Sequence, residues 1–388
     1  LLLVFLGITP AGAGILVQCP TDLDGDGVSD VAGVNCLHLS SGDGFSVMAD
    51  GKDQYVFGFN QIPPDLAIAD IVSNFTGRAM SPAPTIVVAQ DDELYLSLTN
   101  VGMIMRPDLF DAHSVHWHGF PNAGSVFDGV PEVSPAAAML ATQPYYYKAY
   151  KEGTYFYHCH VEASEHMQMG MIGNLYVTPR QNGTAFEYPA TSGRVFTEFI
   201  YNDGDGSTGY NVDYPIQLTT FDSAFHDASI DVQPLPFALM QDNYFMINGR
   251  GYPDTINPNA ITNDAVGMSG GKIGNYEAQI MNARIEAGSG DKIALRLSNV
   301  STTDLITVAT TLGVPMRVVG RGAELLRGPT GLDTSYEVST LNIGGGQAYD
   351  VIIDTTGVVA GTYLLYTTNL HFLSNNDEER GGIMTEIV

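Results

Sequence analysis

TYFYHCHVEASEHMQMGM, residues 154–171, runs from an aromatic and β-branched strand into a cysteine flanked by histidines, then into a methionine-rich loop. Side chains alternate along a strand, so His158 and His160 face one side and Cys159 the other. HSVHWHG, residues 113–119, carries the same alternation and puts His116 and His118 on one face. The two stretches hold six of the nine histidines, a density that structural roles do not explain. Two chemically distinct sites follow. A soft thiolate with two imidazoles and a weak thioether suits copper in electron transfer, and four same-face imidazoles make an all-nitrogen site beside it. Cys159 is the shortest link between the two.

Outward from these stretches the pattern stays β. TIVVA at 85–89 and LYLSLT at 94–99 are short β-branched and aromatic runs bounded by Gly, Pro, Asn and Asp, as in antiparallel sandwiches. A second series, DKIALRLSNV, VPMRVVG, YDVIIDT and GTYLLYT, fills the second half. The halves echo one another in order. TIVVAQDDELYLSLTN (85–100) matches ARIEAGSGDKIALRLSN (283–299), and EGTYFYHCH (152–160) matches AGTYLLYTT (360–368), which predicts a duplicated domain. The expected division is an apolar segment at 1–17, a disulfide-bracketed loop region at 18–50, a metal-bearing domain at 51–180, a polar linker at 181–205 and a second domain at 206–388.

These stretches, with YFMINGRGYPDT at 244–255, resemble the copper-binding signatures of the multicopper oxidase family, including its two-domain members with blue copper in the first domain. The resemblance extends from about residue 51 to the C-terminus. It implies an all-β fold of two cupredoxin-like Greek-key sandwiches. It also implies that His113, Cys159, His166 and Met171 are the blue-copper ligands, with Met167 and Met169 competing for the axial place. His116, His118, His158 and His160 match ligands of the family's oxygen-reducing cluster, and Trp117 reads as an apolar support for its strand.

The second half departs from the pattern. Where the family has HxxHxH this chain reads DLITVATTLGVPM, and where it has YHCH this chain reads YTTN at 366–369. Thr307, Thr310, Thr367 and Asn369 are therefore expected opposite the imidazoles, and neutral oxygens and amides are poor copper ligands. His38, His226 and His371 read as structural or surface residues. The function implied is a copper-dependent oxidoreductase or electron carrier whose second copper site is reduced. The alternatives are a filament subunit built on a redox-derived fold, and a nitrite-reductase-like enzyme in which His118 and His158 match two of three ligands. The electron donor, a redox protein or a small molecule, is not named by the sequence.

Near the start, CPTDLDGDGVSDVAGVNC (19–36) places Asp22, Asp24, Asp26, the Val28 carbonyl and Asp30 at alternate positions, with Gly27 at the turn. Hard oxygens at that spacing suit Ca²⁺. The loop resembles the short calcium repeats of dockerins and thrombospondin type 3 modules, although Gly33 stands where a bidentate Glu is expected. A Cys19–Cys36 disulfide would bracket it and, with sequons at Asn74, Asn182 and Asn299, would place the protein in an oxidising, extracellular setting. The apolar opening LLLVFLGITPAGAGILV is expected to bury itself against protein, most economically a second copy in an oligomer or filament, with a membrane anchor as the alternative. A formal charge of -27, from 43 acidic and 16 basic residues, would repel nucleic acid and anionic membrane surfaces alike.

Overall fold

A computed structural model describes residues 15–122, 124–264 and 274–388. Most of the apolar opening, and the packing expected of it, lies outside the described residues. Ile15, at its end, packs beside Ile62, Ile71 and Val101. No helix among the described residues is long and apolar enough to cross a membrane.

The first half is a sandwich of two four-stranded sheets. In one, β1 (Val34–Val47) lies between β2 (Asp53–Gln61) and β4 (Glu93–Gly102), and β6 (Thr142–Lys148) closes the far edge. The other runs β3 (Ala83–Ala89), β8 (Ile172–Thr178), β7 (Gly153–His158) and β5 (His116–His118). The inward residues alternate as the sequence pattern requires. Leu39, Phe57, Leu96, Trp117, Tyr145, Tyr157 and Leu175 meet in one core, and each fully buried large apolar side chain contributes roughly 1.5–3 kcal/mol. Trp117 stacks on Tyr147 with ring centroids 3.9 Å apart, which pins the short strand β5 from behind.

The sandwich begins earlier than residue 51. Strand β1 reads VNCLHLSSGDGFSV, a run that looks like a turn because serine, glycine and aspartate interrupt it. It is nonetheless buried from His38 to Ser46, paired antiparallel with β2 and parallel with β4. Asp43, in the middle of that run, is buried and accepts hydrogen bonds from the backbone of Ile104 and Met105 and from the Tyr55 hydroxyl. The buried carboxylate of β1 is thus satisfied by partners far along the chain.

The second half repeats the plan. Val212–Phe221 pairs in parallel with Lys292–Asn299, as β1 does with β4, and antiparallel with Tyr244–Ile247, as β1 does with β2. A second sheet orders Thr340–Ile343, Ile306–Thr310, Tyr363–Thr367 and Met384–Ile387 over a core of Leu218, Ile293, Leu297, Val308, Val351 and Leu365. The stretch at 181–205, expected as a polar linker, contains one short strand pair and one strand of a second, and Phe199, Ile200 and Tyr201 within it are buried.

The sequon at Asn299 is not open to modification in this fold. Asn299 is 0 % exposed, and its amide donates to the carbonyls of Asp304 and Ile343 at 3.0 and 2.8 Å. Asn182 is half-buried and accepts a bond from Phe199 N. Asn74, on α1 (Ile71–Phe75), is exposed.

Candidate metal centre

Strands β5 and β7 pair antiparallel with His116 opposite His158, Trp117 opposite Tyr157 and His118 opposite Phe156. The two-residue period then sends the imidazoles to one face, where Phe156 stacks on His118, and Trp117 and Tyr157 to the other, in the core. Cys159 is the next residue along. Its N–H donates to Met171 O at 3.1 Å, so the chain entering and leaving the histidine loop is tied at the neck.

Helix α2 (Ala163–Gln168) carries His166 back over Cys159, starting from Glu162 in a left-handed conformation at φ 46°. The loop closes through Gly170 at φ +111°, where an added Cβ would lie 2.7 Å from Ser81 Oγ and 3.0 Å from Phe57 O. Met171 N then bonds His166 O at 2.9 Å. Cys159 Sγ lies 3.2 Å from His166 Nδ1 and 3.9 Å from His113 Nδ1, and all three residues are 0 % exposed. His113 reaches this point from a bridge to Ala137. Ser114 N donates to the sulfur at 3.4 Å.

Met169 and Met171 are both fully buried in the core that contains Cys159. Met171 is bonded through its main chain to both His166 and Cys159, whereas the Met169 carbonyl accepts from Phe57 N. Met167 faces elsewhere, packing on Phe156, Ile172 and Val300.

The electrostatics of this pocket favour one bound cation. Burial opposes charge on His166, but the adjacent Cys159 sulfur, the Asp111 carboxylate and Glu165 outweigh it and raise His166 to about 10. Burial and the neighbouring His166 hold His113 well below its usual range. Two Nδ1 atoms converge on a buried free sulfur, and no hydrogen-bond partner takes either Nε2. That donor set fits copper.

On the opposite face three imidazoles, His116, His118 and His158, offer nitrogens all within 4.8 Å of one another. His158 Nδ1 donates to Cys159 O at 2.8 Å and His116 Nδ1 to Asp128 O at 2.7 Å, which frees each Nε2 lone pair for a metal. His158 Nε2 and His118 Nδ1 stand 3.2 Å apart, and burial holds His118 to about 4 and His158 to about 3. The His160 ring lies beside them, 5.1 Å from that of His116, but outside the three-nitrogen group.

The second half brings no imidazole to this face. A methyl added at Gly346 would touch the His118 ring at 3.6 Å, so backbone stands where a ligand was sought. Thr307 donates to Asn342 and Asn369 caps a turn at His371 N; these side chains are spent within their own sandwich. The strand pair corresponding to β5 and β7 sets Val308, Ala309 and Thr310 against Thr367, Tyr366 and Leu365. His38 is bonded to Thr99 and lowered by burial to about 4. His371 lies exposed against Phe245.

Several contributors carry no local sequence signal. His226, buried on α3 (Ser223–Ile230), reaches Gln168 O at 2.9 Å, and the Gln168 side chain donates to Asp242 at 3.0 Å and accepts from Thr302 at 2.8 Å. The second sandwich therefore grips the helix that carries His166. Asp111 stands 3.9 Å from His166 Nε2; its place two residues before His113 was the one available hint.

At the N-terminal loop, carboxylate oxygens of Asp22, Asp24 and Asp30 lie within 4.8 Å of one another, and Cys19 and Cys36 form a disulfide with Cα atoms 5.5 Å apart. Gly25 N and Gly27 N donate to Asp22 and hold its carboxyl below the usual range. Asp26 lies outside the three-carboxylate group and accepts from Val28 N at 2.9 Å. Gly27 has φ +81°, and a Cβ there would strike Pro64 O at 2.4 Å.

Comparison with known proteins agrees with this geometry. A laccase from Neurospora crassa is 25 % identical over 313 residues, covering 80 % of this chain and 40 % of that protein; the chain spans less than half the length of the curated relatives it matches. Among solved structures, a blue copper oxidase from Nitrosomonas europaea superposes with a TM-score of 0.64 at 23 % identity, covering 90 % of this chain and 84 % of that one. A copper nitrite reductase from the same organism gives 0.56 at 15 % identity, covering 92 % of both chains. Likeness at these identities shows the two-sandwich fold. Two family models described as multicopper oxidase match residues 73–182 and 240–387, together well over half of the chain, and the protein belongs to the multicopper oxidase family.

Proposed function

We propose that the chain is an extracellular copper-dependent oxidoreductase that accepts single electrons from a reducing donor at a blue copper site. His113, Cys159 and His166 would be the strong ligands, with the Met171 thioether as the weak one. The observation that carries this reading is the convergence of two Nδ1 atoms on the buried Cys159 sulfur, 3.2 and 3.9 Å away. Bound copper would supply a one-electron redox centre whose potential the weak thioether helps to set. Burial of the sulfur and both rings excludes water and competing ligands. Asp111 orients His166 at the side nearer solvent. On the inner side Cys159 leads directly to the second group, because its carbonyl accepts the His158 Nδ1 proton. His116, His118 and His158, with His160 alongside, hold the second metal site, where the electron acceptor would bind.

A copper-loaded sample mixed anaerobically with a phenolic one-electron donor should lose its visible thiolate-to-copper band and regain it when an oxidant is admitted. A band that no donor bleaches would overturn the electron-entry reading.

We also infer that Asp22, Asp24, Asp26, Asp30 and the Val28 carbonyl hold Ca²⁺. Support comes from the grouped carboxylates and from a glycine turn that admits no side chain, with hard oxygens as the donors. Chelation should speed proteolysis between residues 18 and 36 without changing the copper band. Equal cleavage rates with and without chelator would sink this assignment. The Cys19–Cys36 disulfide and the exposed Asn74 sequon support an extracellular setting.

A further inference from the structure

Helix α2, which carries His166, is only six residues long, too short to hold a direction by itself. Its last residue, Gln168, is the polar member of the run MQMGM (167–171), yet it is 1 % exposed. A buried amide is costly unless it is bonded. Both hydrogen bonds of its side chain go to the second sandwich. It donates to Asp242 Oδ1 at 3.0 Å and accepts from the Thr302 hydroxyl at 2.8 Å. Its main-chain carbonyl faces His226 Nε2 at 2.9 Å.

Asp242 is itself firmly held. It is 7 % exposed and accepts from the hydroxyls of Thr220 and Thr303, the latter at 2.5 Å, and Thr220 shares a hydrogen bond of 2.7 Å with Ser301. Thr220 lies on the strand Val212–Phe221, and Ser301 to Thr303 follow the strand Lys292–Asn299. These two strands pair in parallel, and neither is an edge of its sheet. The other nitrogen of His226 faces Tyr55 O on β2 at 2.5 Å. Further along β2, Phe57 N donates to Met169 O at 2.8 Å, and the Phe57 ring lies 5.7 Å from that of His166. The helix is thus fixed from β2 on one side and from the interior strands of the second sandwich on the other.

We infer that Gln168 is a positioning residue for the blue site, through which Asp242 and Thr302 of the second sandwich fix His166 and so set the balance between oxidised and reduced copper. The inference rests on the assignment of His166 as a ligand. Sulfur donors suit the reduced ion, and imidazole nitrogen is the donor that the oxidised ion needs more. A helix freed from its anchor holds that nitrogen less firmly, so the oxidised form loses more and the potential rises. A bond that only fastened the two sandwiches together would change stability and leave the potential where it was.

The test is a spectroelectrochemical titration of the copper-loaded full chain. Gln168→Leu keeps the size of the side chain and leaves Asp242 its two hydroxyl donors. It should shift the equilibrium toward reduced copper at least 10-fold, about 59 mV for one electron. Thr302 is exposed, so Thr302→Val keeps the test open if Gln168→Leu fails to fold. It should shift the equilibrium at least 3-fold in the same direction, and Thr302→Ser, which keeps the hydroxyl, should match the wild type. In the copper-free chain, Gln168→Leu should speed amide exchange at Met169 and Met171 at least 10-fold and leave Leu96, in the first core, unchanged. A potential unchanged or lowered in Gln168→Leu or Thr302→Val, an equal shift in Thr302→Ser, or exchange that quickens at Leu96 as much as at Met169 would each overturn the inference. A wild-type chain without the thiolate-to-copper band would instead overturn the ligand assignment on which it rests.

Discussion

Cys159→Ser should abolish the intense visible thiolate-to-copper band of the copper-loaded protein while the two sandwiches stay folded. The side chains are close in size, and Ser Oγ can still accept from Ser114 N, which donates to the sulfur at 3.4 Å. What disappears is the soft, polarisable donor. A hydroxyl is hard and holds its proton at neutral pH, so it replaces neither the covalency nor the charge of the thiolate. The neighbouring nitrogens cannot substitute, because an all-imidazole site lacks a sulfur-to-metal transition. The mutant also removes the field that raises His166, since the Cys159 sulfur is the foremost of the groups that favour its cationic form. The stability change should be small, on the order of 1 kcal/mol, as expected when one buried hydrogen-bonding atom replaces another. Far-ultraviolet circular dichroism and the visible spectrum, read on one sample, separate loss of the site from loss of the fold. An undiminished band in Cys159→Ser would show that another group, not this sulfur, holds the blue copper.

The metal-bearing half was legible because its signal is local. Strand alternation alone divides Cys159 from His158 and His160, and the paired strands β5 and β7 keep that division. The duplication was readable too, because each half repeats its parallel pairing at the same motif. Strand β1 was hidden for a physical reason. Its centre, LSSGDG, has no apolar alternation, and the distant backbone of Ile104 and Met105, with the Tyr55 hydroxyl, makes a buried Asp43 tolerable. The same limit applies to Gln168, Asp242 and His226, whose grip on α2 joins positions 58 and 74 residues apart. Asn299 carries a modification sequence, yet its amide is consumed in holding a loop. Gly346 could not have been expected beside His118, since a glycine gives no sign of what it approaches.

An anomalous-scattering map at the copper edge should show one peak among His113, Cys159 and His166 and at most two at the imidazole face. All nine histidines lie within the described residues, so the nitrogen supply can be followed residue by residue. Three go to the face itself, with His160 beside them. His113 and His166 belong to the sulfur site. His38 is bonded to Thr99, His226 lies between Tyr55 O and Gln168 O, and His371 packs on Phe245. A neighbouring copy could not make up the difference with its own second sandwich, which would present the same Gly346 and the same threonines. Four imidazoles give three coppers fewer than two nitrogens each, too few to hold them against water. One or two coppers are well served, and one bound by three imidazoles keeps an open position for a small acceptor. Four-electron reduction of oxygen to water should accordingly be absent or at least 100-fold slower than blue-site reduction by the same donor. Three strong peaks at this face, or rapid oxygen consumption with a phenolic donor, would mean that ligands outside the histidine set complete the cluster.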